Sequence, residues 1–182
     1  MIVERLQPVS PCEEIAVDAL DCLLHRCSVK RTVDPAPTGE HLSLMLAAAC
    51  QAPDHGRLRP WRFITVAGDA RTDLGKIFAE ALAARDPGCP QTKLEREAGK
   101  LRRAPLVIVV VCHPTPGCDV PFLEQAMSVA AAAQNIVNAA YALGYGAMWR
   151  TGAQAYDPAV HAALGLEAGE SIIGFLYVGS PE

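Results

Sequence analysis

No uninterrupted apolar run in this chain exceeds the seven residues of Leu106 to Cys112, far below the roughly 20 that a helix needs to cross a bilayer. No membrane span and no membrane partner are therefore expected. The start, Met1 to Val9, holds one basic residue and no apolar block leading to a small-residue cleavage site. It does not read as a secretory signal, and the expected location is cytoplasmic. Positive charge is not in excess either: 16 Lys and Arg stand against 20 Asp and Glu, a net charge of −4. The electrostatic footprint of a general nucleic-acid binder is thus missing, although a local basic pocket is compatible with that balance.

The seven cysteines, at 12, 22, 27, 50, 89, 112 and 118, are odd in number and include no C-x-x-C pair, which suits reduced thiols better than a disulfide frame. His113, beside Cys112 and near Cys118, is the nearest approach to metal-ligand spacing. Zinc needs four convergent ligands, so no metal is expected. The sequence also lacks a G-x-G-x-x-G fingerprint, a phosphate-loop G-x-x-x-x-G-K, a G-x-S-x-G elbow and an H-E-x-x-H helix, and with them the usual signs of a Rossmann nucleotide site, a serine hydrolase or a metalloprotease.

What the chain does hold is apolar content of 51% over 182 residues, with 14 Gly and 14 Pro spread along it. That describes a folding chain of one domain and rules out disorder or low complexity. Ser10, Pro11 and Glu13 have capping-box character and predict a helix to about His25, with Ile15, Ala19, Cys22 and Leu23 on its apolar stripe. Residues 26–37 read as a loop. Thr38 is the expected cap of a second helix, with Leu42, Met45, Leu46 and Ala49 inward, stopped by Pro53. Trp61 to Ala67 reads as a strand, and Asp69 as the cap of a third helix that breaks at Asp86-Pro87-Gly88. A charged helix is expected over about 91–103, then a central strand over 106–112 buried on both faces. The longest helix is expected over about 121–143, apolar nearly all round from Ala126 to Ala142, as a central helix at a dimer seam requires. A strand over 145–150, a short helix opened by Asp157-Pro158, and a last strand over 171–178 complete one layered domain, α/β or α+β in class, around a sheet of four strands.

Three loops carry the candidate chemistry. Arg26, Ser28, Lys30 and Arg31 form a basic, polar loop straight after the first helix. Guanidinium and hydroxyl suit a phosphate, although basic residues there also serve simply to satisfy helix carbonyls. The stretch from Ala52 to Phe63 is polar and ends in Pro60-Trp61-Arg62-Phe63, able to hold the edge of an aromatic ligand or simply to supply core. Gly144 to Gly152 is rich in small residues that permit close approach to a flat ligand, with Arg150 in reach of an anionic group.

Taken together and in this order, with a long Ala-rich helix before the third loop, these segments resemble the flavin-dependent nitroreductase family. The specific stretches are Pro35-Ala36-Pro37-Thr38-Gly39-Glu40, Ala52-Pro53-Asp54-His55 with Pro60-Trp61, and Trp149-Arg150-Thr151-Gly152 with Gly174-Phe175-Leu176-Tyr177. The likeness covers residues 17–181 and implies an α+β, layered, nitroreductase-like fold with a central mixed sheet of four to five strands flanked by helices, with residues 1–16 an N-terminal extension and 17–182 a single FMN-binding domain. In the family the first loop reads Arg-Arg-Ser and holds FMN; here it is Arg26, Cys27 and Ser28, and Lys30 lies where some relatives carry a basic residue near the flavin. Gln51 and His55 match positions that reach the flavin of the partner subunit, while Trp149, Arg150 and Thr151 match its other contacts. The resemblance places the nicotinamide cofactor along Ala139, Ala140, Tyr141, Ala142, Leu143 and Gly144.

The implied activity is a homodimer carrying two FMN at its interface, passing electrons from NADH or NADPH to a nitroaromatic or quinone-like acceptor by a ping-pong mechanism. No catalytic side chain is needed, because the flavin supplies the chemistry. Cys27 and Gln51 stand where relatives carry arginine, and the chain ends at Glu182 where relatives continue onto the partner; weaker FMN retention is the expectation. Fold and cofactor do not fix the acceptor. A flavin-using dehydrogenase, another divergent member of the family, a non-enzymatic flavin-binding protein and a ligand-free dimeric module stay open at this point.

Overall fold

The structure, a computed structural model, describes residues 17–182. Its centre is the apolar run foreseen above: β3 (Leu106–Cys112) is buried along its whole length. Because side chains alternate across a strand, Leu106, Ile108, Val110 and Cys112 point into one core with Met45, Ala49, Val129 and Ile136. Val107, Val109 and Val111 point into a second core with Phe78, Leu101, Val160 and Phe175. A strand that must satisfy two cores has no polar position to spare.

β3 pairs antiparallel with β2 (Trp61–Ala67) on one edge and with β5 (Ser171–Pro181) on the other. β5 also pairs with β4 (Gly146–Arg150) and with the two-residue β1 (Thr32–Val33). All these ladders are antiparallel, so the expected mixed character reduces to one isolated parallel bridge, Ser28 with Ala147. β1 lies in the segment read as loop; two residues are too few to show a pattern, and their partner is the end of β5, Ser180 and Pro181. That partner also carries β5 three residues past its expected end.

Helices α2 (Gly39–Ala49) and α5 (Phe122–Ala142) cover the first core. The second is covered by α3 (Ala70–Arg85) and α6 (Pro158–Ala163), with Leu101 of the 3₁₀ turn Lys100–Arg103. There Phe78 and Phe175 meet edge to face at 5.5 Å, and truncating such a buried ring costs about 3–5 kcal/mol. Asp157 caps α6 through the Ala159 N–H at 3.0 Å, with Pro158 in the first turn as expected. Thr38 and Asp69 do precede α2 and α3, but neither side chain makes a capping hydrogen bond.

Two helix boundaries differ from the sequence reading. Residues Ser10 to Ile15 lie outside the described residues, and the helix that carries Cys22 begins at Ala19. Asp18 is non-helical and accepts from the N–H groups of Leu20 (2.9 Å) and Asp21 (3.2 Å), which sets the start of α1 (Ala19–His25). Of its expected stripe Cys22 is buried while Leu23 is exposed. The charged helix read over 91–103 ends early: α4 spans Gln91–Ala98, and Gly99 separates it from the 3₁₀ turn. Gly75 of α3 lets α4 approach, since a Cβ there would collide with the Ala98 carbonyl.

Candidate functional site

After α1 the chain turns along β4. Arg26 is the C-cap of α1, its N–H donating to the Cys22 carbonyl at 3.0 Å. The Val29 N–H then donates to the Ala147 carbonyl at 3.0 Å, and Ser28 bridges to the same residue. Gly146 permits this approach: a Cβ there would lie 3.0 Å from Thr32 Cγ2 and 3.1 Å from Val29 Cβ. The first and third candidate loops therefore lie side by side, as the sequence could suggest but not place.

Between and beside them are two hollows. One, of about 230 Å³, lies at the C-terminal end of α5 and is lined by Arg26, Cys27, Tyr141, Gly144, Tyr145 and Ala147 among others. Of the six residues read as the nicotinamide region, Tyr141 and Gly144 reach this hollow. Ala140 is fully buried in the core and Ala139 packs against it, while Leu143 is the C-cap of α5 and Ala142 its last residue. The second hollow, of about 500 Å³, is lined by Lys30, Arg31, Gly99, Arg102, Arg103 and Arg150. Arg26 and Lys30, four residues apart, thus open onto different spaces.

Around the second hollow the charge is uncompensated. Among the described residues, none of the ion pairs found in the structure involves any of its five cations. Arg150 lies over the ring of Tyr177 at 5.5 Å, and its Nε is buried without a hydrogen-bond partner. Burial pushes the Tyr177 phenol up to about 12, with Arg150 and Arg103 pulling the other way. At neutral pH the phenol is uncharged, so it cannot neutralise the guanidinium groups around it.

Trp149 is anchored from inside. Its Nε1 donates to the Ile173 carbonyl at 3.3 Å, and its ring fills the space over Gly174, where a Cβ would lie 2.6 Å from Cδ1. That carbonyl is available because β5 bulges: Val110 faces Gly174 while Val111 faces Ile172, leaving Ile173 as the extra residue. Thr151 follows on the exposed turn after β4, before Gly152 at φ 126°. Its side chain is free to meet a ligand.

Gln51 and His55 line neither hollow. Both are exposed beyond the end of α2, where His55 Nδ1 lies 2.7 Å from Glu124 Oε2 in the first turn of α5. The same end of α5 displays Phe122, Leu123 and Met127, exposed at 49, 67 and 62%. Apolar side chains grouped in this way mark a surface made for covering. The Cys112, His113 and Cys118 trio is divided among other tasks. Cys112 is buried in β3, where burial and then Glu170 push its thiol up to about 11. His113 Nδ1 lies 2.9 Å from Glu170 Oε1, and Cys118 Sγ 3.2 Å from the Thr115 carbonyl.

The sequence reading missed Arg102, Arg103 and Gly99, taking them as part of a solvated helix. The available signal was the pair of arginines immediately before a fully buried strand, at a point where a chain must leave the surface.

A model of the "Nitroreductase family" matches residues 23–180. The Escherichia coli K12 protein named "Putative NAD(P)H nitroreductase YdjA" is 37% identical over 166 residues, covering 91% of this chain and 90% of that one. Among solved structures, a nitroreductase-like family protein of Bacillus cereus is similar with a TM-score of 0.81 at 23% identity, over 94% of this chain and 89% of that chain. A Desulfovibrio desulfuricans chain described as "a putative nitroreductase in complex with FMN" is similar with a TM-score of 0.70 at 25% identity, over 91% of this chain and 88% of that chain.

Proposed function

Since this chain belongs to the nitroreductase family of oxidoreductases, we propose that residues 17–182 form one FMN-binding domain that passes electrons from NADH or NADPH to nitroaromatic or quinone-like acceptors. The observation that carries this reading is the junction of the two loops: Arg26, Ser28 and Lys30 run beside β4, and Arg150 at the end of β4 presents a buried Nε–H with no acceptor. An orphaned buried donor costs about 1–3 kcal/mol unless something accepts from it. A ligand with acceptor atoms and negative charge fits that demand.

In this reading Arg26 and Ser28 donate to the flavin phosphate, and Lys30 or Arg26 supplies positive potential to the electron-accepting ring edge. Trp149, locked by the Ile173 carbonyl and Gly174, holds the end of β4 at one height and so fixes where Arg150 and Thr151 stand. FMN held there would supply the redox chemistry that links a nicotinamide donor to the acceptor. A single site serving donor and acceptor in turn would make the kinetics ping-pong. No side chain is assigned a catalytic proton transfer, and Cys27 leaves the loop one cation poorer than the family pattern.

The second copy of the chain completes the site. His55, paired with Glu124, sits at the end of α5 that also shows Phe122, Leu123 and Met127, and neither it nor the exposed Gln51 lines a hollow of its own protomer. A homodimer built on that surface covers the apolar patch and brings Gln51 and His55 to the partner's flavin. Tyr141 and Gly144, at the mouth of the smaller hollow, are the part of 139–144 open to the nicotinamide cofactor. No helix among the described residues is long and apolar enough to cross a membrane, in keeping with a cytoplasmic enzyme. Equilibrium titration of the flavin-free protein with FMN tests the assignment. Arg26→Ala is expected to weaken binding about 10- to 150-fold, the worth of a hydrogen bond to a charged group. An unchanged dissociation constant in Arg26→Ala would remove the phosphate from this loop.

A further inference from the structure

We propose that the hollow ringed by Lys30, Arg31, Arg102, Arg103 and Arg150 is a binding site for a phosphomonoester dianion, separate from the Arg26 side of the loop. Three elements converge there: the loop after α1, the 3₁₀ turn before β3, and the end of β4. Five cations meet in a space of about 500 Å³ on a chain whose net charge is −4, so the positive charge is a local feature of this hollow.

Among the described residues, none answers that charge with an ion pair. Glu97, the buried carboxylate of α4, is committed to Lys100 at 2.6 Å. Tyr177 remains a neutral phenol to about 12. The field in the hollow is therefore positive throughout the physiological range, and like charges held this close repel one another unless an anion enters.

The donor set favours phosphate over a halide or a single carboxylate. Four of the five cations are arginines, whose planar forks match phosphate oxygens in pairs. Arg150 is held over the Tyr177 ring with an unpaired Nε, so one donor is oriented before the ligand arrives, while Arg31 and Arg102 are exposed and free to close on it. With the flavin phosphate assigned to Arg26 and Ser28, the cofactor group that carries this chemistry is the 2′-phosphate of NADPH. That source rests on the flavin reading above; the dianion site does not.

Calorimetric titration of the flavin-free full chain with inorganic phosphate tests the site. Saturable binding is expected for the wild type, and Arg102→Ser with Arg103→Ser should weaken it by more than about tenfold. Lys93→Ser with Arg96→Ser, two other cations on α4, should leave it unchanged. Equal phosphate affinity in the Arg102/Arg103 variant, or no saturable binding by the wild type, overturns the proposal. Arg31→Ser, on an exposed loop, replaces the double variant if circular dichroism shows the latter unfolded.

The source follows from paired ligands. If the Arg102/Arg103 variant loses affinity for NADPH and keeps it for NADH, the donor's 2′-phosphate occupies the hollow. A loss for FMN with riboflavin unchanged moves the flavin phosphate into the hollow and overturns its separation from the Arg26 side. In a protein that loads FMN, a variant indifferent in both pairs overturns the cofactor assignment. A wild type that binds phosphate and takes no FMN sinks the flavin reading while the site stands.

Discussion

Replacing Gly174 by alanine sets a methyl group against the indole of Trp149. The new Cβ would lie 2.6 Å from Trp149 Cδ1 and 3.1 Å from Cε2, well inside the roughly 3.5–4.0 Å at which carbon atoms pack. β5 is held on both edges at this position, with Phe175 paired to Val109 and to Arg150, so the backbone cannot retreat and the indole must move. Overpacking of this kind costs about 1–3 kcal/mol. Displacing the ring also breaks the bond from Nε1 to the Ile173 carbonyl, worth about 1 kcal/mol more. A total of about 2–4 kcal/mol corresponds to a fall of roughly 1–2 M in the urea midpoint for a slope near 2 kcal/mol per M. Urea unfolding followed by circular dichroism measures it, and the same substitution in a Trp149→Phe background tests the cause. Without Nε1 and the five-membered ring, Gly174→Ala should cost less than half as much. Equal costs in the two backgrounds, or a midpoint unchanged by Gly174→Ala alone, would refute the reasoning.

Other substitutions probe different parts of the account. Glu170 accepts from Arg62 at 2.5 and 2.9 Å and from the Glu167 N–H at 2.8 Å, with His113 Nδ1 at 2.9 Å. Burial alone would raise its pKa; these partners instead hold it below the ordinary value. The ionised form therefore favours folding, and its contribution is present above the unfolded carboxylate range and lost as pH falls through the lowered value. Glu170→Gln should cost about 2 kcal/mol at pH 7, with the gap to wild type closing below about pH 4 in urea melts; a gap independent of pH contradicts this. Leu123→Asp, at the exposed start of α5, should shift the sedimentation mass from dimer to monomer without lowering helix content. If Cys27 and Gln51 stand where the family carries cations, as the resemblance implies, FMN retention on gel filtration should fall as salt rises and screens the remaining ones; full retention at high salt would show that those two positions do not matter.

Regular patterns made much of this fold legible. Seven apolar residues between two prolines, Pro105 and Pro114, specified β3 to the residue, and Trp61 to Ala67 specified β2, because hydrophobic periodicity is local information. Gly99 was readable as a break and was passed over, since charged residues on both sides kept the helical pattern alive. Other features are products of pairing alone. β1 exists only against the end of β5, and the bulge at Ile173 that frees a carbonyl for Trp149 is a matter of register between distant strands. The site shows the same division. Arg26, Ser28, Lys30 and Trp149 to Thr151 are read from their loops and the family resemblance, and the Ser28–Ala147 bridge sets the two segments side by side. Arg102 and Arg103 carry no motif; they join Lys30, Arg31 and Arg150 only because the chain enters β3 beside that loop.

The central claim is that one flavin site on this chain takes electrons from a nicotinamide and hands them to an acceptor in two separable steps. Anaerobic addition of NADPH or NADH to the FMN-loaded protein, followed by removal of excess donor and addition of a quinone, measures both through visible flavin absorbance. The account predicts bleaching by at least one donor with no acceptor present, then full recovery by one equivalent of quinone with no donor present. Flavin that stays yellow with both nicotinamides, or that bleaches only when donor and quinone are present together, would contradict it.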